Sequence, residues 1–351
     1  MRLFILCLAL CSLQACFAQN TASDRPLYQG QELSADQVLQ TIAIGSCNRQ
    51  DEPQVIWPTI ARQQPDLWVW LGDNIYGDTQ DMEVLATKYR KQKFHPAYAT
   101  FRAFVPVIGI WDDHDYGVND GDKNYPRKEA SKDLMMDFLD VAPDAAVRQR
   151  EGAYQSYTFG PKGKRVKIIL LDGRYFRDPL QKSTDGKRRY VANKEGDLLG
   201  EAQWEWFESQ LRDSEADVHI IGCGIQMISA EHGYEKWANF PRSRERLFEL
   251  ITKYELKHPL LISGDRHISE LSMVELPGLQ YPLYDLTASG MTHTWSSVGE
   301  EANQYRVSDL MAVKGFGLIR IDWSNGEPAI RVEVKDQQGE THLSTPLQHT
   351  R

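Results

Sequence analysis

"VPVIGIWDDHD", residues 105–115, starts as an apolar, strand-like run and ends abruptly in Asp112, Asp113, His114 and Asp115. Like charges this close repel, and they cost free energy unless something positive neutralises them. The same pattern recurs along the chain. Strand-like runs lie at 41–45 (TIAIG), 67–72 (LWVWLG), 166–172 (VKIILLD), 218–224 (VHIIGCG), 259–264 (PLLISG), 282–288 (PLYDLTA) and 316–322 (FGLIRID). They are short, rich in β-branched residues and bounded by Gly or Asp. Amphipathic helical stretches at 82–93, 129–140, 200–214 and 243–254 lie between them; Trp204, Phe207 and Leu211 share one face of the third. Alternating strand and helix specify an α/β domain. The crowding of strands in the C-terminal third predicts a second, partly antiparallel sheet. Residues 177–197 read as a polar surface loop beside the site.

The bulk numbers leave room for one large domain or two ordinary ones. The chain has 351 residues, 41% hydrophobic and 25% charged, enough for a sizeable core. A net charge of −9 argues against sequence-blind nucleic-acid binding, which needs basic patches. It argues equally against docking on an anionic membrane by charge alone. Arg2 followed by LFILCLALCSL reads as an export signal, too short for a comfortable membrane span. Cleavage after Cys16-Phe17-Ala18 would free a soluble chain from Gln19, giving a signal peptide over 1–18. The stretch LQAC (13–16) is an imperfect lipoprotein box that would place lipid on Cys16. The first of these is the preferred reading, and the expected location is periplasmic or extracellular. Residues 19–40 read as a polar linker, and 41–351 as the folded domain. Beyond the leader only Cys47 and Cys223 remain, so this is no disulfide scaffold.

The useful regularity is positional. Six apolar runs end in reactive or ligating side chains: Ser46-Cys47-Asn48, Asp73-Asn74-Ile75-Tyr76, Asp112-Asp113-His114, Asp172-Gly173-Arg174, Ile225-Gln226 and Asp265-Arg266-His267. In open α/β sheets ligands bind beyond the carboxyl ends of strands. Carboxylates, two histidines, a thiol and a phenol form a set that hard and borderline metal ions accept. Taken singly, each has an ordinary structural reading. Asp73 is a possible helix N-cap, and Cys47 a small buried hydrophobe. Residues 112–115 are a possible solvated acidic loop, 264–267 a turn, and Asp172 with Arg174 an ion pair. Their joint placement at successive strand ends favours a metal site.

The order GSC (45–47), GDNIY (72–76), WDDHD (111–115), LLDGR (170–174) and GDRH (264–267) resembles the alkaline phosphatase D family, a branch of the calcineurin-like metallophosphatases. LLGEAQWEWFESQL (198–211) is similar to a further signature of that family, and the likeness spans about residues 41–325. The resemblance implies a four-layer α/β/β/α sandwich with two mixed sheets and the site at the strand C-terminal ends. It implies iron(III) on Cys47, Tyr76 and His267, with Asp73 bridging to a calcium held by Asp113 and Asp265. Asp112 is a weaker candidate ligand. His114 would act as general acid or hydrogen-bond the phosphoryl group. Arg174 is the first choice for binding phosphate oxygens, with Asn74, Arg177 and Gln226 as second choices.

These implications describe a metal-dependent phosphoesterase in which hydroxide generated at the cations attacks phosphorus in line. Family members often act on both diesters and monoesters, and a diester needs room on both sides of the clamp. Loop 177–197 with Tyr116, Trp237 and Trp295 is one possible source of that groove; surface and core are the plainer readings of those aromatics. Two other readings stand beside the main one. One is a non-catalytic metal- or phosphate-binding homologue. The other is a phosphodiesterase tethered through Cys16 that acts on lipid-derived diesters. The leader lacks the twin-arginine pair that family members often carry.

Overall fold

The computed structural model describes residues 30–184, 186, 189–295 and 301–348. The leader, with Cys16, and residues 19–29 of the expected linker therefore lie outside the described residues. Residues 30–40 lie against the domain: Gln31 N donates to Arg102 O, Gly160 N to Ala35 O, and Leu39 is buried.

Two six-stranded sheets form the centre. The first contains β1 (Thr41–Gly45), β2 (Leu67–Leu71) and β3 (Val107–Ile110), paired in parallel. The second contains β4 (Gln155–Phe159), β5 (Val166–Leu170), β8 (Val218–Cys223), β9 (Pro259–Ser263), β10 (Ser269–Val274) and β11 (Leu283–Ala288). In it β5, β8, β9 and β11 run parallel, while β4 and β10 are antiparallel edges. A small hairpin, β6 (Gln181–Lys182) with β7 (Tyr190–Val191), sits inside the expected polar loop.

The C-terminal third supplies the expected second, partly antiparallel sheet through β9, β10 and β11, but its last three strands lie elsewhere. β12 (Gly315–Asp322), β13 (Ala329–Asp336) and β14 (Thr341–Pro346) do not build the second sheet. They extend the first, since β12 pairs antiparallel with β1 and the order is β14-β13-β12-β1-β2-β3. Antiparallel pairing is thus shared between two mixed sheets. The physical reason is burial: β1 is buried throughout and needs a ladder partner on both sides.

Helices cover the outer faces. Beside the first sheet lie α1 (Trp57–Ala61), α2 (Met82–Lys93), α3 (Pro96–Arg102) and α5 (Lys128–Phe138), while α4 (Asp113–Tyr116) is a single turn after β3. α6 (Glu201–Arg212) and α7 (Pro241–Lys253) cover the second. Side chains alternate across each strand. Trp68 and Trp70 of β2 face the helices and meet Trp57 edge-on at centroid distances of 5.1 and 5.4 Å. Ile220 of β8, Ile262 of β9 and Leu286 of β11 join the core shared with Val69 and Leu71 of β2. Ile221 and Leu261 point the other way, into a second core with Trp204, Phe207, Leu247 and Ile251. The layering is therefore α/β/β/α, and seven parallel strands point their carboxyl ends toward one edge of the sandwich.

His219 of β8 is buried in its neutral form. Its Nδ1 donates to Lys257 O at 3.0 Å and its Nε2 lies 2.8 Å from Ser214 Oγ. Burial holds it down at about 4. A depressed histidine is neutral in the fold but protonates in the unfolded chain, so stability is lost as pH falls from about 6.5 towards 4. At pH 5 this residue's share is about 2 kcal/mol. Urea midpoints of wild type and His219→Gln should therefore converge on acidification from pH 7.5 to 5. A constant gap across that range would contradict the assignment.

Candidate metal centre

The strand ends turn sharply before releasing their side chains. Cys47, Asp73, Asp265 and His267 all have left-handed backbones, with φ of 58°, 50°, 61° and 54°. For non-glycine residues such conformations cost of order 1–3 kcal/mol each and persist only where the surroundings over-determine them. Here the neighbouring strands do so: Asn48 N donates to Asp73 O, and His267 N to Ser289 Oγ.

The first cluster gathers where β1, β2, β9 and β11 end. Cys47 Sγ lies 3.3 Å from Asp73 Oδ2, and Tyr76 OH lies 3.2 Å from the same oxygen. Tyr76 OH is also 2.9 Å from His267 Nε2 and 3.0 Å from His293 Nε2. Burial raises the Cys47 thiol well above its usual range, and neighbouring Asp73 and Asp265 add to it. Burial likewise raises Tyr76, with Cys47 and Asp73 contributing. Burial, then His114 and Arg266, press His267 down to about 4. His293 falls to about 3 through burial, His267 and Arg49. Both rings are thus neutral donors, the form that ligates metal.

The second cluster comprises Asp112, Asp113 and Asp265, each offering an oxygen within 4.8 Å of the others. Burial raises Asp265 to about 7, with Asp113 as the next contributor. Asp113 falls to about 2, because Arg174 and His114 outweigh its burial. Asp112 Oδ2 is buried without a partner. Two glycines make room for this residue. Gly72 has a φ of 87°, and a Cβ there would lie 2.6 Å from Asp112 N; a Cβ on Gly224 would overlap the Asp112 carboxylate.

Asp73 belongs to both sides. Its Oδ2 faces Cys47 and Tyr76, and Oδ1 accepts from His114 N at 3.3 Å. Asp115 ties the turns together: its carboxylate accepts from the backbone N–H of Asp73, Asn74 and Asp112. His114 Nδ1 lies 2.7 and 2.8 Å from the two oxygens of Asp78. Burial opposes charge on His114, but Asp73, Asp78 and Asp113 overcome it and raise the imidazole to about 10.

The donor set fits two cations. A thiol, a phenol and two neutral imidazoles around one carboxylate suit a strongly Lewis-acidic ion, since thiol and phenol must lose protons to bind. An all-carboxylate neighbour suits an oxygen-seeking ion. The unpartnered Asp112 oxygen and the raised acids are what a cation would relieve.

The sequence candidates separate into two groups. Cys47, Asp73, Tyr76, Asp112, Asp113, His114, Asp265 and His267 come together. The four expected substrate binders are instead engaged internally. Arg174 is fully buried: Nε and Nη2 donate to Asp112 Oδ1 at 2.7 and 2.5 Å, and Nη1 to Glu235 Oε2 at 2.6 Å. Its ion-pair partners are these two residues. Asp172 accepts from Trp111 Nε1 and the N–H groups of Ala153, Arg174 and Tyr175. Arg177 is buried against Glu235 and donates to Asp120 O and Gly121 O. Gln226 donates to Glu270 and Thr287, and Asn74 to Ile110 O. A guanidinium needs counter-charge when buried, and here Asp112 and Glu235 supply it. Tyr116 and Trp237 are likewise fully buried and line no groove, while Trp295 is exposed. Sequence reading missed His293, Asp78, Asp115 and Glu235. His293 follows the run PLYDLTA just as His267 follows PLLISG, so the same positional rule would have found it.

A family model described as PhoD-like phosphatase matches residues 42–299. The chain is 24% identical over 280 residues to alkaline phosphatase D of Bacillus subtilis (strain 168), covering 65% of this chain and 46% of that protein. The chain thus spans about half the length of this curated relative. A solved structure of PhoD superposes with a TM-score of 0.66 at 18% identity, covering 92% of this chain and 74% of the other. A purple acid phosphatase from yellow lupin (Lupinus luteus) seeds gives 0.60 at 12%, covering 90% and 54%. At these identities the two structures speak for the fold.

Gly72→Ala should strip the centre of metal. The substitution strains a left-handed residue and drives a methyl into the Asp112 backbone. Elemental analysis of the purified variant should show at least one cation lost, with Asp113→Asn as the reference for loss of a single ligand. A fully metallated variant would show that the Gly72 contact does not shape the site.

Proposed function

The chain belongs to the PhoD-like phosphatase family, and from that premise we propose that it is a metal-dependent phosphoesterase working at the Asp73-centred pair of clusters. The observation that carries this is the division of one carboxylate between two buried ligand sets. Cys47, Tyr76, His267 and His293 would hold iron(III), and Asp112, Asp113 and Asp265 calcium, with Asp73 between. Cations bound there would supply an activated water and polarise the phosphoryl oxygens.

The chain's own groups do the rest. Asp78 fixes the Nδ1 proton of His114, so Nε2 is the atom left to protonate the leaving oxygen. With Arg174 and Arg177 committed internally, a different cation must meet the phosphate. Arg49 is exposed, and its guanidinium sits 5.0 Å from the Tyr76 ring centroid. It replaces Arg174 as the candidate for substrate contact. The leader supports export to the periplasm or exterior. Diesters with monoester side activity remain the substrate reading, resting now on the family's habit, since Tyr116 and Trp237 are core.

Hydrolysis of bis-p-nitrophenyl phosphate should vanish with chelator and return with calcium. Failure to return with calcium or any other divalent ion, iron being retained, would contradict the two-cation reading. Roles divide within the opening motif. Asp113→Asn should lower both metal content and turnover. His114→Ala should lower turnover by about 10²–10⁴-fold with metal content nearly intact. Equal metal loss in both would overturn the division.

A further inference from the structure

Exposed aromatic rings are scarce on this molecule. Among the described residues the strongly exposed large side chains include only four aromatics: Phe94, Phe104, Tyr234 and Trp295. Phe94 ends α2 and Phe104 precedes β3, on segments without site residues. Tyr234 and Trp295 stand beside the metal centre. The Trp295 ring lies 5.2 Å from the ring of His267, and Tyr234 stacks on Trp295 at 6.1 Å with 26° between planes.

Both rings are held by polar anchors. Trp295 Nε1 donates to Arg266 O at 2.9 Å. The Arg266 guanidinium lies 4.6 Å from the Tyr234 centroid and is itself pinned by both oxygens of Glu301 at 2.7 Å. Arg266 is buried, yet Tyr234 and Trp295 keep 39% and 43% of their surface exposed. Leaving apolar ring surface in water forfeits burial energy. Fixing the rings in that state lowers the entropy cost of placing another ring on them.

We propose that Tyr234 and Trp295 form a subsite for a planar aromatic substituent of the phosphate ester, either a nucleobase or an aryl group. This rests on the phosphoesterase reading. The subsite begins beside His267 and extends outward, so a phosphoryl group at the centre brings its substituent along the exposed edges of the rings. Aromatic pairs also favour edge-to-face contact, so the flat face of a base or aryl group can meet these exposed ring edges. Arg266, packed on the Tyr234 ring, holds it in place by a cation–π contact. The phosphate supplies the common binding energy, and the rings supply the preference.

The test is competitive inhibition of bis-p-nitrophenyl phosphate hydrolysis by the metal-loaded protein. Two pairs of inhibitors differ only by a ring: adenosine 5′-monophosphate against ribose 5-phosphate, and phenyl phosphate against methyl phosphate. The aromatic member of at least one pair should bind about tenfold tighter. Trp295→Ala should bring that ratio near one, and Trp295→Phe should keep most of it. A preference in the first pair alone identifies a nucleotide ester, and in the second alone an aryl ester. Ratios near one in active wild type overturn the subsite and leave the phosphoesterase reading intact. So does a Trp295→Ala that weakens both members equally, since the ring would then serve only to support His267. Wild type that carries metal and hydrolyses no ester overturns the reading beneath it.

Discussion

Electrostatic repulsion among Asp73, Asp112, Asp113 and Asp265 is the constraint around which this molecule is arranged. All but Asp265 are almost completely inaccessible, and the four meet at one edge of the sandwich. Part of the charge is answered from within. Arg174 and Arg177 are opposed by Asp112 and Glu235, two guanidiniums against two carboxylates. Arg266, the next cation, is taken by Glu301. Among the described residues Asp73, Asp113 and Asp265 form no direct ion pair with an arginine. Burying charge without compensation costs several kcal/mol per ion, so the remaining imbalance defines the place where cations belong.

Much of this was legible in the sequence. The strand-like runs from 41–45 to 316–322 are strands, and the four amphipathic stretches are helices with boundaries within a few residues. These elements carry strong periodicity and deep burial. Three strands escaped despite burial or alternation, β4, the buried β10 and the alternating β13, because Ser, Glu, Gln and Arg break up their apolar runs; the others that escaped are exposed or very short. β14 is exposed or half-exposed along its length, and β6 and β7 are two residues each. Sheet membership escaped for a different reason. Nothing local in FGLIRID tells whether it pairs with β1 or with β11, because partner choice is settled by the long-range packing of the layers.

The site followed the same division. Residue types at strand ends are visible in a sequence, so the eight converging side chains were readable. Side-chain destination is not. Arg174 sits two residues past a strand, where a phosphate binder would be expected, but Asp112 and Glu235 reach it first from segments 62 and 61 residues away in sequence. Glu235 lies in an irregular loop with no motif to announce it. His293 was missed only because the rule of strand ends was not applied to the run at 282–288.

The left-handed turns at Cys47, Asp73 and His267 bring together two halves of the first cluster that lie far apart along the chain. Tyr76 meets His267 across 191 residues and His293 across 217. A nascent chain therefore carries Cys47, Asp73 and Tyr76 long before their partners exist. Long-range closure is slow, and a thiol with nothing to bind is open to oxidation during that wait. An ion proposed for this cluster would therefore have to arrive late, as the seal on a finished fold. The N-terminal half alone holds Cys47, Asp73 and Tyr76 but neither His267 nor His293, so it should compete poorly for any ion that the complete cluster would bind.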